Sequence, residues 1–303
     1  MKRRNFLQQT GIIAAAAVVA PSLISAKKAP KKLVILHTND THSNIDPFPK
    51  NHAKFPDRGG VSRRAKFIEQ IREQSENVLL LDAGDVFQGT PYFNKFKGVL
   101  EMKVMSEMGY DAMTLGNHDF DIGIDGFVHA KQEGKFPVVN CNYDVSNTAL
   151  KDVVVPSIIL KKAGRKIGIT GVGIDLKGLV ADNLTTGLIY NDPIKSVQKE
   201  VNKLRKKGCD LVICLSHLGF EYATDKVSDR VLAQETTGID IILGGHTHTF
   251  LEKGVELVNK EGKPVIVNQV GYGGLLLGKI EVEFDGGDTR VAVASPVEMK
   301  EVV

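Results

Sequence analysis

Cysteine is scarce in this chain: Cys141, Cys209 and Cys214 are the only three among 303 residues. An odd, widely spaced set excludes a small domain stapled by a dense disulfide framework. Cys214 lies within the apolar run 211–215, and all three read as structural thiols with no disulfide required. An excess of one charge is also missing. The formal net charge is +3, and Lys2, Arg3 and Arg4 account for it, leaving residues 27–303 formally neutral. No basic surface selecting nucleic acid is indicated. No internal repeat, low-complexity linker or second helical block is present, so one mature domain is the simplest organisation.

The N-terminus departs from this ordinary composition. Lys2-Arg3-Arg4-Asn5-Phe6-Leu7 is a basic head with paired arginines. An apolar, Ala-rich stretch from Gly11 to Ala26 follows, and Ile24-Ser25-Ala26 offers a small residue for cleavage. Residues 1–26 therefore read as a bacterial export signal of the twin-arginine type, carrying the mature chain to the periplasm or beyond. The alternative is an N-terminal anchor, but the stretch is short for a span and Pro21 interrupts it. Stable membrane insertion is not expected after cleavage. No cysteine follows the apolar stretch to take a lipid.

Beyond the leader, runs rich in Val, Ile and Leu recur at 33–36, 78–81, 112–115, 167–172, 211–215 and 239–243. Near-continuous apolar runs of this length predict strands covered on both faces. Helical patterns lie between them over 61–72, 100–108 and 193–207, the last with Pro193 in its first turn and Gly208 just past its end. Strands alternating with helices predict a layered α/β domain. After His248 the pattern changes. Segments 264–269, 275–284 and 290–294 predict antiparallel strands that finish a second sheet.

Five of the eight histidines fall in four short motifs, each just past an apolar run. In Asp40-Thr41-His42, alternate residues of an extended segment point the same way, so a carboxylate and an imidazole can hold one ion. Asp85 follows 79–84 past a strand end, where one carboxylate can bridge two cations; Asp82, nearer the strand, reads as supporting. In Gly116-Asn117-His118-Asp119-Phe120-Asp121, the Asn117 carboxamide can serve as a neutral ligand. His118, pointing elsewhere, can reach substrate, and Asp121 can hold its imidazole and favour the protonated form. His217 follows another strand. His246 and His248 add two imidazoles, over glycines that let the backbone pack tightly beneath them. His37, His52 and His129 lack such context. Taken singly, each motif is matched by an ordinary turn Asp, surface His or capping Asn. Taken together at successive strand ends, they point to a two-metal hydrolase.

The segments 36–42, 82–90, 116–121, 216–219 and 244–248 resemble the motif set of the 5'-nucleotidase family of calcineurin-like metallophosphoesterases. The resemblance covers nearly all of residues 32–284. It implies a four-layer α/β/β/α sandwich with a dimetal centre between the sheets. It further implies that Asp40, His42, Asp85 and His248 hold one metal, that Asp85, Asn117, His217 and His246 hold the other, and that His118 with Asp121 is the catalytic pair. The expected reaction is hydrolysis of phosphate monoesters, 5'-nucleotides foremost, by a metal-bridging hydroxide. Mixed oxygen and nitrogen ligands suit Zn, Mn, Fe or Co. Nucleotide-sugar diphosphates, cyclic nucleotides or a sulfur ester are the alternative substrates, and a non-catalytic binding subunit is the alternative of another class.

One departure concerns substrate. Exported members of that family carry a C-terminal domain that grips the nucleoside with stacked aromatics. The sequence has no tryptophan and ends at Val303, soon after the catalytic pattern. The expectation is that residues 27–303 form the catalytic domain alone. Nucleoside recognition then comes from a separate polypeptide docked over the cleft, or is missing.

The leader yields a prediction. Changing Arg3 and Arg4 together to Lys keeps the charge but removes the planar fork a receptor can read. Export, followed by cell fractionation, should be lost; unchanged export would point to the general secretory route.

Overall fold

The computed structural model describes residues 30–285 and 288–300, so the leader lies outside the described residues. The strands in chain order begin with β1 (Lys31–Thr38), β2 (Val78–Asp82), β3 (Ala112–Met113), β4 (Val138–Val139), β5 (Tyr143–Asp144), β6 (Val154–Val155), β7 (Ser157–Lys162) and β8 (Arg165–Gly173). They continue with β9 (Ile189–Tyr190), β10 (Leu211–His217), β11 (Ile241–Gly244), β12 (Val255–Val258), β13 (Pro264–Asn268), β14 (Leu276–Asp285) and β15 (Asp288–Glu298). The helices are α1 (Val61–Gln74), α2 (Pro91–Phe96), α3 (Val99–Glu107), α4 (Gly123–Lys131), α5 (Pro193–Lys206) and α6 (Asp229–Glu235).

Two mixed sheets result. The first has seven strands in the order β15-β14-β1-β2-β3-β4-β6, and the second has six in the order β12-β13-β11-β10-β8-β7. In the first, β1, β2, β3, β4 and β6 run parallel. In the second, β13, β11, β10 and β8 do. The short β5 and β9 pair apart from both.

The parity of the strand residues explains the layering. Val34, Leu36, Val78 and Leu80 face a core shared with Ile68 of α1, Met102 of α3 and Phe127 of α4. Their alternates Leu33, Ile35, Leu79 and Leu81 pack against Ile167, Ile169, Leu211, Ile213 and Leu215 of the other sheet. On the far side, Val212 and Cys214 meet Val197, Val201 and Leu204 of α5 and Leu232 of α6. Each central strand is thus apolar on both faces, and the unbroken hydrophobic runs follow from that burial. The order is helix, sheet, sheet, helix, the four-layer α/β/β/α sandwich that the resemblance implied. Cys141, Cys209 and Cys214 are free thiols.

The C-terminal strands depart from expectation. Only the first of the three segments joins the second sheet, as β13, and it pairs in parallel with β11. The other two return to the first sheet, where β14 runs antiparallel to β1 and β15 antiparallel to β14. The physical reason is that β1 needs a partner on the side away from β2. A strand's own pattern reports that both its faces are buried but carries no record of which edge it covers. The expected strand 112–115 is also shorter, since the chain leaves the sheet after Met113 to form the 3₁₀ turn His118–Phe120.

The sheets approach closely near Gly171 of β8. A Cβ there would lie 2.0 Å from Val139 O and 2.5 Å from Thr114 Oγ1. The Cys141 N–H donates to Gly171 O at 2.8 Å across the same gap. We predict that Gly171→Ala lowers stability by about 1–3 kcal/mol through overpacking between the layers. Denaturant unfolding of both proteins checks this; equal midpoints would show that the gap absorbs a methyl group.

Candidate metal centre

The parallel strands β1, β2 and β3 of one sheet and β10 and β11 of the other release their loops toward one crevice, outside their carboxyl ends. All seven ligand candidates lie on or just past those ends. Among the described residues, two groups of three side chains each bring donor atoms within 4.8 Å of one another: Asp40, His42 and His248, and Asp85, His217 and His246. Within the first, His42 Nε2 is 3.0 Å from His248 Nε2 and His248 Nε2 is 3.4 Å from Asp40 Oδ1. Within the second, His217 Nε2 is 3.1 Å from Asp85 Oδ2. Asn117 joins the second group, its Oδ1 lying 2.8 Å from His246 Nδ1. The groups meet, since Asp85 Oδ2 is also 4.0 Å from His42 Nε2 and Asp40 Oδ1 is 3.9 Å from His217 Nε2.

The backbone is bent to achieve this. Asp40, His42, Asp85, His246 and His248 all have φ between 47° and 77°. That left-handed region costs a non-glycine residue on the order of 1–3 kcal/mol, a strain found where surrounding structure dictates the geometry. Close approach adds to it. A Cβ at Gly116 would meet Asp85 Oδ1 at 2.1 Å, and one at Gly245 would meet His217 Nδ1 at 2.8 Å. Bare backbone at these two positions is what lets the loops interlock.

The donor set suits divalent cations. His217 Nδ1 donates to Ala83 O at 2.7 Å, which turns Nε2 and its lone pair inward. That Nε2 is buried and faces Asp85 Oδ2 at 3.1 Å. Burial opposes charge on His217, but Asp85 and Asp40 overcome it and raise its pKa to about 10; a cation between these groups would take the place of the proton. Burial, with His217 adding to it, pushes His246 down to about 4, and burial also lowers His42. Both shifts favour the neutral imidazole that a ligand must be.

His118 stands beside the cluster. Its ring centroid is 5.4 Å from that of His42, and its Nδ1 is 2.8 Å from Asp121 Oδ2. The hydrogen bond to Asp121 raises its pKa, against desolvation. Its backbone N–H donates to Asp85 Oδ1 at 2.7 Å. Asp82 accepts from Thr38 Oγ1 and the Gly84 N–H, the supporting role read for it. His37 is buried and accepts from Asn268 Nδ2, and burial pushes its pKa down to about 3. His52 packs against Phe48 and Phe55, and His129 sits in the last turn of α4.

Several residues at the site had no role in the sequence reading. Asp119 is fully buried and accepts from the backbone N–H of Asp85, Val86, Phe87 and Gly116 at 2.8–3.3 Å. Burial and the Asp85 charge raise its pKa to about 7. Asn39 donates to Asp40 Oδ2 at 2.6 Å, and Gln269 donates to Gly245 O at 2.6 Å. Asp229, beneath Gly244, accepts from Ser216 Oγ at 2.5 Å. All four act on backbone or on their neighbours, so no spacing in the sequence betrays them, although Asn39 and Asp119 lay within motifs.

A four-layer sandwich with a histidine–carboxylate cluster between its sheets is the design of the metallophosphoesterases. The chain belongs to the calcineurin-like phosphoesterase family, whose model matches residues 33–250. It is 33% identical to 5'-nucleotidase of Rattus norvegicus over 90% of this chain and 50% of that protein. Among solved structures it resembles a 5'-nucleotidase precursor from Thermus thermophilus (33% identity, TM-score 0.79, 88% of this chain and 54% of that one). It also resembles an NAD nucleotidase from Haemophilus influenzae (28% identity, TM-score 0.76, 89% and 50%). The chain spans about half the length of the curated relatives it matches.

Asp119 provides the test of this geometry. In Asp119→Asn, an amide N–H₂ must face backbone N–H groups that now donate to a carboxylate. We predict an apparent metal affinity lower by about 10–100-fold, the usual cost of losing a ligand's support. Competition against a chromophoric chelator measures it, and an unchanged affinity would leave Asp119 with a folding role only.

Proposed function

We propose that this chain hydrolyses phosphate monoesters, 5'-nucleotides foremost, to an alcohol and inorganic phosphate, using two divalent cations. Asp40, His42, Asp85 and His248 would hold one cation, and Asp85, Asn117, His217 and His246 the other, with Asp85 shared. The observation that carries this reading is the meeting of the two donor groups at Asp85 and Asp40, with the His118–Asp121 pair alongside. Zn, Mn, Fe or Co suits such oxygen and nitrogen donors. Bound there, the cations would supply Lewis acidity toward water and neutralise charge on the phosphoryl group.

The chain's own residues do the rest. Asp121 Oδ2 holds the proton on His118 Nδ1 and stabilises the imidazolium. His118 Nε2–H is then available to donate to the phosphoryl oxygen or to the departing alkoxide. The Asp85 carboxylate is tied through Oδ1 to the His118 backbone, so acid and bridge keep a common register. The leader supports a proposal of twin-arginine export to the periplasm or beyond. Among the described residues no helix is long and apolar enough to cross a membrane. A pyrophosphate-linked dinucleotide is the second substrate class to assay, because one similar structure is an NAD nucleotidase.

A substrate panel with metal analysis of the purified chain tests the reading. Two variants sharpen it. His118→Asn should keep both metals and lose about 10²–10⁴ in rate, the usual share of general acid–base help. Asp85→Asn should lose metal from both positions together with activity. Full metal content and rate in Asp85→Asn would overturn the ligand assignment, and metal loss in His118→Asn would make His118 a ligand.

A further inference from the structure

His246 and His248 belong to different donor groups although only Thr247 separates them. The bend that carries them must therefore aim two imidazoles at two places. Its backbone is not of a kind that persists alone: His246 has φ 77° and His248 φ 52°, in the left-handed region that residues with a Cβ avoid. Such a conformation is held by what surrounds it.

Gln269, one residue past β13, grips this bend from outside. It is fully buried and uses both ends of its carboxamide. Its Nε2 donates to Gly245 O at 2.6 Å, on the residue before His246. Its Oε1 accepts from the Thr249 N–H at 2.5 Å, on the residue after His248. The Thr247 hydroxyl donates to the same Oε1 at 3.0 Å, so the middle of the bend is held as well. That hydroxyl also accepts from the Phe220 N–H at 3.0 Å, which carries the network to the loop after His217. Gly245 O can only accept and the Thr249 N–H can only donate, so the amide has one orientation. The approach needs bare backbone, since a Cβ at Gly244 would lie 3.2 Å from Gln269 Nε2. The residue is itself anchored: the Leu251 N–H donates to Gln269 O at 3.1 Å, and the preceding Asn268 pairs with Leu243 of β11.

We propose that Gln269 is a positioning residue for both cations: by spanning the bend from Gly245 to Thr249 it sets the divergent aim of His246 and His248, and so links the two metal positions through a side chain outside both donor groups. The proposal rests on the two-cation reading of the adjacent centre. It also says why a carboxamide is needed. Ionised glutamate has the same shape but offers Gly245 O no donor.

The experiment titrates the metal-free full chain with zinc in competition with a chromophoric chelator, which reads two successive affinities without turnover. Gln269→Glu should weaken both by about 10–100-fold, the usual cost of losing a ligand's support. Thr247→Val is a milder change that removes the hydroxyl donated to Gln269 Oε1. It should weaken both by about five-fold, the scale of one hydrogen bond, and it carries the test if Gln269→Glu does not fold. Denaturant unfolding of the metal-free proteins separates positioning from packing. A lowered unfolding midpoint with both affinities unchanged, or a loss confined to one affinity, overturns the proposal. Phosphate ester hydrolysis by a Gln269→Glu chain with full affinity at both positions would keep the hydrolase reading and sink the positioning role. Two zinc ions bound without hydrolysis of any ester, and both weakened in Gln269→Glu, would do the reverse.

Discussion

The site depends on one buried carboxylate outside the candidate ligand set. Asp119 draws the loops after β2 and β3 together by accepting from backbone N–H groups of both. A buried carboxylate is tolerated only when such donors surround it, and the donors in turn become fixed. Asp85 and His118 are carried on the loops so joined. Without this clamp their side chains would belong to two independent excursions, and the 2.7 Å contact between the His118 N–H and Asp85 Oδ1 would have no reason to persist.

The charge balance follows from that enclosure. Asp40, Asp85 and His217 are all buried, with His217 Nε2 set against two carboxylates, 3.1 Å from Asp85 Oδ2 and 3.9 Å from Asp40 Oδ1. Buried charge is costly unless it is paired. Protein contacts alone leave His217 to carry a proton against its own desolvation, at a pKa of about 10. A divalent cation held by these residues would relieve this conflict. The left-handed backbone at five of the seven candidate ligands belongs to the same account, because strain of that kind persists where bound ligand and surrounding packing repay it.

Beyond the centre, the crevice is not uniform. Its side near His248 is aromatic and rigidly tied to Asp40 through Asn39, whereas the side near His118 and Asp121 is polar and partly exposed.

What the sequence determined by itself was local. Unbroken apolar runs such as 211–215 announced strands buried on both faces, because burial on two sides leaves no polar alternation. The histidine and carboxylate motifs were visible as candidates because metal-ligand side chains must be particular residue types, here just past strand ends. Tertiary structure decided the rest. Whether β14 closes the first or the second sheet depends on which edge lacks a partner, and no pattern within β14 records that. The roles of Asp119, Asn39 and Gln269 arise from bonds to backbone groups, which every residue carries and no sequence can mark. The aromatic side of the crevice was hidden most completely. Phe48 and Phe55 come from one stretch of the chain and Phe250 and Tyr272 from a distant one, and their rings close over bare backbone at Gly271 and Gly273.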